Sequence, residues 1–324
     1  MEPGLVVGLD AGGTASKAVV ATVDGVIVGR GAAGPGNPLS AGAAAAAAST
    51  EAALRAALGA APPSSVVRGV LGVAGASVLA SGDGLAAYEK VWRTLGLTCP
   101  MVVVGDAVTA FAAGSPAAAG VVLIAGTGAI AAEVRDETVV RTVDGNGWLL
   151  GDLGSGRWIG LAALRTTVRE WSSPFAAAIA ARVGCAHADD LIRWAQALPF
   201  AEIDALAPLV CALAREADPH ARAITTEAAA ELIRTLDELK VAGPVVLAGG
   251  LLATDTPVRD GVRAILRGRD VECVPSRDPA AAAAWLAARP VSGCTPEALH
   301  SALVGPAGER AGRGVQAALR STDR

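Results

Sequence analysis

The chain has 324 residues, more than one core of ordinary size accommodates, so two domains are expected. Acidic side chains number 31 against 27 Lys and Arg, and the net charge of −4 gives no general attraction for nucleic acid or an anionic membrane. Apolar residues make up 52% but aromatics only 3%, so Ala, Val and Leu carry the hydrophobicity, as in a helix-rich α/β protein.

The N-terminus carries Glu2 where an export signal needs a cation and Asp10 inside the would-be apolar region, so a cytoplasmic protein is expected. Leu5 to Asp10 reads as a strand, Ala11-Gly12-Gly13-Thr14 as a Gly-rich turn, and the run to Thr22 as a second strand closed by Asp24-Gly25. Ser40 to Leu58 is a helix whose six-alanine run is a strong helix former, stopped by Gly59 and Pro62-Pro63. Val66 to Val73 is a strand. Leu85, Tyr88, Val91 and Leu95 share one helical face before Gly96, and Met101 to Val104 is a buried-type strand ending in Gly105-Asp106.

Ala117 to Ala132 is uncharged, yet Gly120, Gly126 and Gly128 interrupt it and Glu133 and Arg135 follow, so it predicts a strand and a turn, not a membrane span. Val121 to Ile124, the turn Ala125-Gly126-Thr127-Gly128, a strand through Val134 and another from Thr138 repeat the plan of the N-terminus. Val6 and Val121 stand 115 residues apart, and the same offset lays Gly13 over Gly128, which predicts duplication of a whole domain. Ser155 to Trp171 and Ala201 to Lys240 read as helical, Pro244 to Ala248 as a strand ending in Gly249-Gly250, Val271 to Val274 as the last strand, and Asp278 to Arg289 as a short helix. The stretch from Pro290 is rich in Gly, Pro and Arg and is expected to be loose. Strands alternating with helices imply largely parallel pairing.

The turns carry the chemistry. A Gly-rich turn after a strand lets backbone N–H groups approach phosphate oxygens, and the carboxylate of Asp10 at the strand end is suited to Mg²⁺ through water, although tight hairpins also use glycine structurally. A second such turn at Gly126, Thr127 and Gly128 favours the phosphate reading: two turns from related halves, facing across a cleft, can grip one polyphosphate. Neither a P-loop nor a dinucleotide fingerprint is present.

Asp106 ends a parallel strand, where open α/β sheets place ligands, and can act as a general base for an alcohol or cap the following helix. Five glycines among Gly145 to Gly156 allow tight turns, and Asp152 within them can accept two sugar hydroxyls. Asn37, in Gly34-Pro35-Gly36-Asn37-Pro38, offers donor and acceptor for a sugar or is an ordinary turn residue. The five cysteines and three histidines are scattered singly, which predicts neither a disulfide framework nor a zinc site.

On these motifs the chain resembles the actin-like ATPase, heat-shock and sugar-kinase superfamily. Within it the chain is most similar to the N-acetylglucosamine kinase branch, which shares its ATPase domain with the activators of benzoyl-CoA reductase and 2-hydroxyacyl-CoA dehydratase. The motifs are GLDAGGTASK at Gly8 to Lys17, GVAG at Gly72 to Gly75, VVGDA at Val103 to Ala107, LIAGTGAIA at Leu123 to Ala131, GWLLGDLGSGRWIG at Gly147 to Gly160 and VVLAGG at Val245 to Gly250.

The resemblance implies a two-lobed, ribonuclease H-like duplicated fold with ATP and Mg²⁺ in the cleft. The lobes would be residues 1–116 and 117–289, with 290–324 a tail packing back on the first. Asp10 would serve the metal, Gly12, Gly13 and Thr14 the first phosphate loop, Gly126, Thr127 and Gly128 the second, and Gly249 and Gly250 the adenosine. Asp106 would be the base on the sugar 6-hydroxyl, while Asn37, Gly145 and Asp152 would bind the ring, in a homodimer formed through the C-terminal lobe. Leu153, Ala129 with Ile130, and Asn146 depart from the usual pattern and put the identity of the sugar in question. The alternatives are a related sugar, such as glucosamine, N-acetylmuramic acid or glucose, or an ATPase that activates a radical enzyme, which needs clustered cysteines for an iron–sulfur centre.

Overall fold

The computed structural model describes residues 4–74, 83–240 and 243–305, the side chains of residues 39, 40, 83 and 84 excepted. It divides into two compact units. The first holds residues 1–118, 134–139 and 276–324, and the second holds 119–133 and 140–275.

In the first unit β1 (Leu5–Ala11), β2 (Ser16–Thr22), β3 (Ile27–Ala33), β4 (Val66–Val73) and β5 (Met101–Gly105) form one sheet in the order β3-β2-β1-β4-β5. β1 runs antiparallel to β2 and parallel to β4, which is parallel to β5. Its helices are α1 (Pro38–Ala41), α2 (Ala43–Leu58), α3 (Asp83–Thr94) and α4 (Asp106–Ala112). Leu54 of α2 and Tyr88 and Trp92 of α3 share one buried cluster with Val7 and Leu9 of β1, and Trp92 lies against Gly69 of β4.

The second unit repeats this plan. β6 (Ala119–Ala125), β7 (Ala129–Arg135), β8 (Thr138–Asp144), β9 (Val245–Ala248) and β10 (Cys273–Pro275) take the order β10-β9-β6-β7-β8. Read from the other edge, that is the order of the first sheet, so the 115-residue offset reflects a repeated fold. Between β8 and β9 lie α5 (Gly156–Arg169), α6 (Pro174–Val183), α7 (Ala188–Gln196), α8 (Phe200–Asp204), α9 (Leu206–Arg215) and α10 (Pro219–Asp237), followed after β9 by α11 (Gly250–Ala253) and α12 (Pro257–Arg267). The core gathers Val121, Leu123, Ile159, Phe175, Leu206 and Leu232.

Two expectations are corrected. The helix read at Asp278 to Arg289 is α13 (Pro279–Ala288), and it belongs with the first sheet, not with the C-terminal lobe. Every residue from Ala280 to Ala288 is buried, and α13 lies so close to β1 that a Cβ on Gly8 would overlap the backbone of Ala280 and Ala284. Absence of a side chain at Gly8 and small ones along α13 permit that approach. The stretch after Pro290, expected to be loose, contains α14 (Pro296–Val304), begun by a Thr295 hydroxyl that accepts from the Ala298 N–H. Residues 306–324 lie outside the described residues. No helix among the described residues is long and apolar enough to cross a membrane.

Candidate active site

In the first unit the predicted residues gather at the carboxyl ends of β1 and β5. Asp10 is the penultimate residue of β1, opposite Lys17 on β2 and Gly72 on β4, and Gly72 is in turn opposite Val104 on β5. Asp106, the first residue of α4, follows directly on β5. Both carboxylates are partly buried. Burial above all, then the charge of Asp106, pushes the Asp10 carboxyl up to about 7, with Lys17 opposing and Asp278 adding to the rise. Burial also raises Asp106, against backbone N–H groups that favour its charged form. α4 is held firmly: the Thr109 hydroxyl donates to the Asp106 carbonyl, and the Thr109 side chain fills the space that Gly72 leaves free.

Gly12, Gly13 and Thr14 make the bend between β1 and β2, with Gly13 and Thr14 exposed. The Gly12 carbonyl accepts from both the Gly36 and Asn37 N–H groups, at 2.9 and 3.1 Å, which docks the Asn37 loop on this hairpin. The Tyr88 hydroxyl donates to the Gly36 carbonyl at 2.8 Å and secures the loop from α3. Asp10, the hairpin, Asn37 and Asp106 are thereby grouped in one unit. Gly75, the last glycine of the GVAG motif, lies outside the described residues.

The second unit groups the rest. Gly126, Thr127 and Gly128 join β6 to β7, and β6 pairs in parallel with β9, so Ile124 lies opposite Ala248. This register sets Gly249 and Gly250 beside the hairpin. Gly249 has φ +80 and packs directly on the Ala125 backbone, while a Cβ on Gly250 would meet nothing within 4 Å. The Gly126 carbonyl accepts from the Gly156 N–H at 2.7 Å, tying the hairpin to the start of α5, and Ser155 caps that helix by accepting from the Trp158 N–H.

Asp152 lies against Gly128. Its Oδ1 accepts from the Ala129 N–H at 3.1 Å, so one of the two oxygens read as sugar acceptors already has a protein partner. Burial raises its pKa, with Ala129 and Arg157 opposing and Asp144 adding. Gly145 has φ +75 and packs on Ile130. Arg157 grips Asp204 through two bonds of 2.8 and 2.6 Å and lies over the Phe200 ring, which in turn packs on Trp148 of the Gly-rich loop.

A cavity of about 310 Å³ adjoins Asp152, lined by Trp148, Leu150, Leu153, Ser155, Trp158 and Arg165 among others. An apolar groove of about 430 Å³, lined by Leu164, Val168, Leu191, Ile192 and Leu198, continues from it through the shared Leu161 and Arg165. Two residues were missed from the sequence. Asp144, which the reading of the strand from Thr138 did not single out, bonds the loop that carries Asp152. Asp278, read only as the start of a helix, caps α13, pairs with Arg30 at 2.8 Å and acts electrostatically on Asp10. The Asp-Pro pair was the available signal for the cap.

Among the described residues no group of three or more His, Cys, Asp or Glu is arranged to hold a metal by itself. A Mg²⁺ ion brought by a nucleotide needs only one or two protein carboxylates, with phosphate and water completing its shell. The oxygens of Asp10 are hard donors, and a cation bound there relieves the repulsion from the Asp106 charge, so Asp10 fits such an ion.

The model of the BadF/BadG/BcrA/BcrD ATPase family matches residues 7–287. A solved structure from Chromobacterium violaceum, to which N-acetylglucosamine kinase activity is ascribed, is similar with TM-score 0.71 and 27% identity, covering 88% of this chain and 99% of that one. A second, from Porphyromonas gingivalis with the same ascription, has TM-score 0.67 and 17% identity over 84% and 93%. A ROK family glucokinase from Streptomyces griseus, solved with glucose and AMPPNP, has TM-score 0.55 and 21% identity over 88% and 99%. No curated protein matches the chain.

Proposed function

The chain belongs to the BadF/BadG/BcrA/BcrD ATPase family and has the actin-like ATPase and sugar-kinase fold, and from that premise we propose that it is an ATP-dependent kinase of an amino sugar, acting on the 6-hydroxyl of N-acetylglucosamine. The observation that carries the reading is Asp106: a partly buried carboxylate of raised proton affinity beside Asp10, in the unit where the Asn37 loop docks on the first hairpin. An ATPase needs a carboxylate for its metal. A second one, set to take a proton, suits an alcohol as acceptor.

The mechanism follows from the residues. The backbone N–H groups of the Gly12–Thr14 and Gly126–Gly128 hairpins bind phosphate oxygens, and Gly250, held beside the second hairpin by the packing of Gly249 on Ala125, leaves room for the nucleoside. Asn37, Gly145 and Asp152 orient the ring. The 6-oxygen attacks the γ-phosphorus, the new O–P bond forms as the bridging O–P bond to ADP breaks, and Asp106 takes the hydroxyl proton. Phosphoryl transfer is loose, so the proton leaves late and a carboxylate of raised pKa suffices as base. Asp10 would hold Mg²⁺, which supplies neutralising charge to the phosphates when bound.

We also place a homodimer contact on the second unit. Leu149 and Leu150 are 73% and 80% exposed, and with Leu153, Val168, Ile192 and Leu198 they rim the cavity and groove described above. Apolar surface of this extent on one face marks an interaction site.

The test is ADP release over N-acetylglucosamine, glucosamine, N-acetylmannosamine, N-acetylmuramic acid and glucose. The kinase reading expects turnover to depend on sugar, with N-acetylglucosamine giving the highest kcat/KM. Hydrolysis at one rate with or without any sugar overturns it.

A further inference from the structure

Asp144 ends β8 in the left-handed region at φ +65. Its carboxylate accepts from two consecutive N–H groups of the Gly-rich loop, Oδ1 from Asp152 at 2.6 Å and Oδ2 from Leu153 at 2.9 Å. Gly151 is pressed so close that a Cβ there would overlap Oδ1. Asp152 is itself left-handed at φ +56, a conformation that an ordinary L residue keeps only where its surroundings impose it. In that conformation its own carboxylate reaches the Ala129 N–H and lies on Gly128.

We infer that Asp144 is a positioning residue for substrate recognition: it sets the loop that aims Asp152, and through the Asp152–Ala129 bond it ties the sugar side of the site to the second phosphate hairpin. The inference rests on the sugar-kinase reading and adds the residue that orders its ring-binding carboxylate.

The chemistry requires a carboxylate. Asp144 raises the proton affinity of Asp152 by charge repulsion, an unfavourable arrangement that the two charge-assisted bonds offset. An amide at the same place accepts with its oxygen alone and turns an NH₂ toward the other N–H, so Asp144→Asn keeps one bond and loses one. Alanine loses both.

The test uses the full chain. Asp144→Ala raises the KM for N-acetylglucosamine, and its Kd by calorimetry, by roughly 10-fold, the effect of one charge-assisted bond, and Asp144→Asn by a smaller factor. The KM for ATP stays within about twofold, since no nucleotide-binding group is removed. Amide exchange at Ala129 quickens in Asp144→Asn, which reads the tie to the hairpin without sugar. If Asp144→Ala does not fold, Asp144→Asn decides.

Unchanged sugar Kd and Ala129 exchange with only a fall in Tm would make Asp144 a merely structural tie and overturn the inference. A wild-type enzyme that phosphorylates sugar beside variants that match it rejects this inference alone. A wild-type enzyme that neither binds nor phosphorylates any sugar overturns the kinase reading and this inference with it.

Discussion

Asp10 and Asp106 stand at the carboxyl ends of two strands separated only by β4, and the charge of Asp106 is the largest side-chain influence on the proton affinity of Asp10. Like charges held this way are stable together only when a proton or a cation intervenes.

Replacing Asp106 by Asn should lower kcat by roughly 10² to 10⁴, the usual loss on removing a positioned base, while nucleotide still binds. Steady-state kinetics with a nucleotide-binding titration check this. Turnover close to wild type would remove Asp106 from its role.

Asp10 ionises in the unfolded chain near its ordinary value of 3.8 but in the fold only around 7. Between those values the folded protein binds more protons than the unfolded one, so this group withdraws stability as pH rises. Asp10→Asn should therefore raise the melting temperature of the ligand-free protein at pH 8 and leave it unchanged near pH 4. Equal effects at both pH values would contradict the assignment.

His300 on α14 meets the Ala112 carbonyl at 2.7 Å through Nε2 and stands edge-on to the Trp285 ring. Burial lowers its pKa, the Ala112 bond opposes, and the charge of Arg277 adds to the lowering. The unfolded chain then takes the proton first as pH falls, so the contribution of His300 is complete above about 6.5 and is lost on acidification. His300→Gln, whose amide can still donate to Ala112, should narrow the difference in Tm between pH 8 and pH 5. An unaltered difference would exclude His300 as its source.

Gly8→Ala should destabilise the protein by about 1–3 kcal/mol or more, because the added methyl must displace the α13 backbone and no flexible side chain can yield. Chemical denaturation measures it. A neutral result would mean that α13 moves freely on β1.

The duplication was legible because short apolar runs followed by Gly-rich turns recur at one offset, and the turns carrying Gly12–Thr14 and Gly126–Gly128 lie where the pattern put them, whereas the order of the strands within each sheet depends on pairings between segments distant in sequence and came from the structure. Helices α6 and α7 were passed over, although Ser173-Pro174 and Gly184 bracket α6 with ordinary start and stop signals. The place of α13 could not be read, since its alanines have no apolar face to orient them and only their contact with Gly8 decides where they pack. Asp144 escaped for a related reason: no local pattern marks it, and its two bonds reach residues eight and nine positions away.

The seat of α13 on β1 also bears on how the chain is made. Residues 276–304 are translated after all ten strands, yet they close over a strand that emerged among the first. The β1 face around Gly8 thus stays uncovered throughout synthesis of the second unit, and a nascent chain released before α13 leaves the ribosome would expose that face to chaperones and proteases.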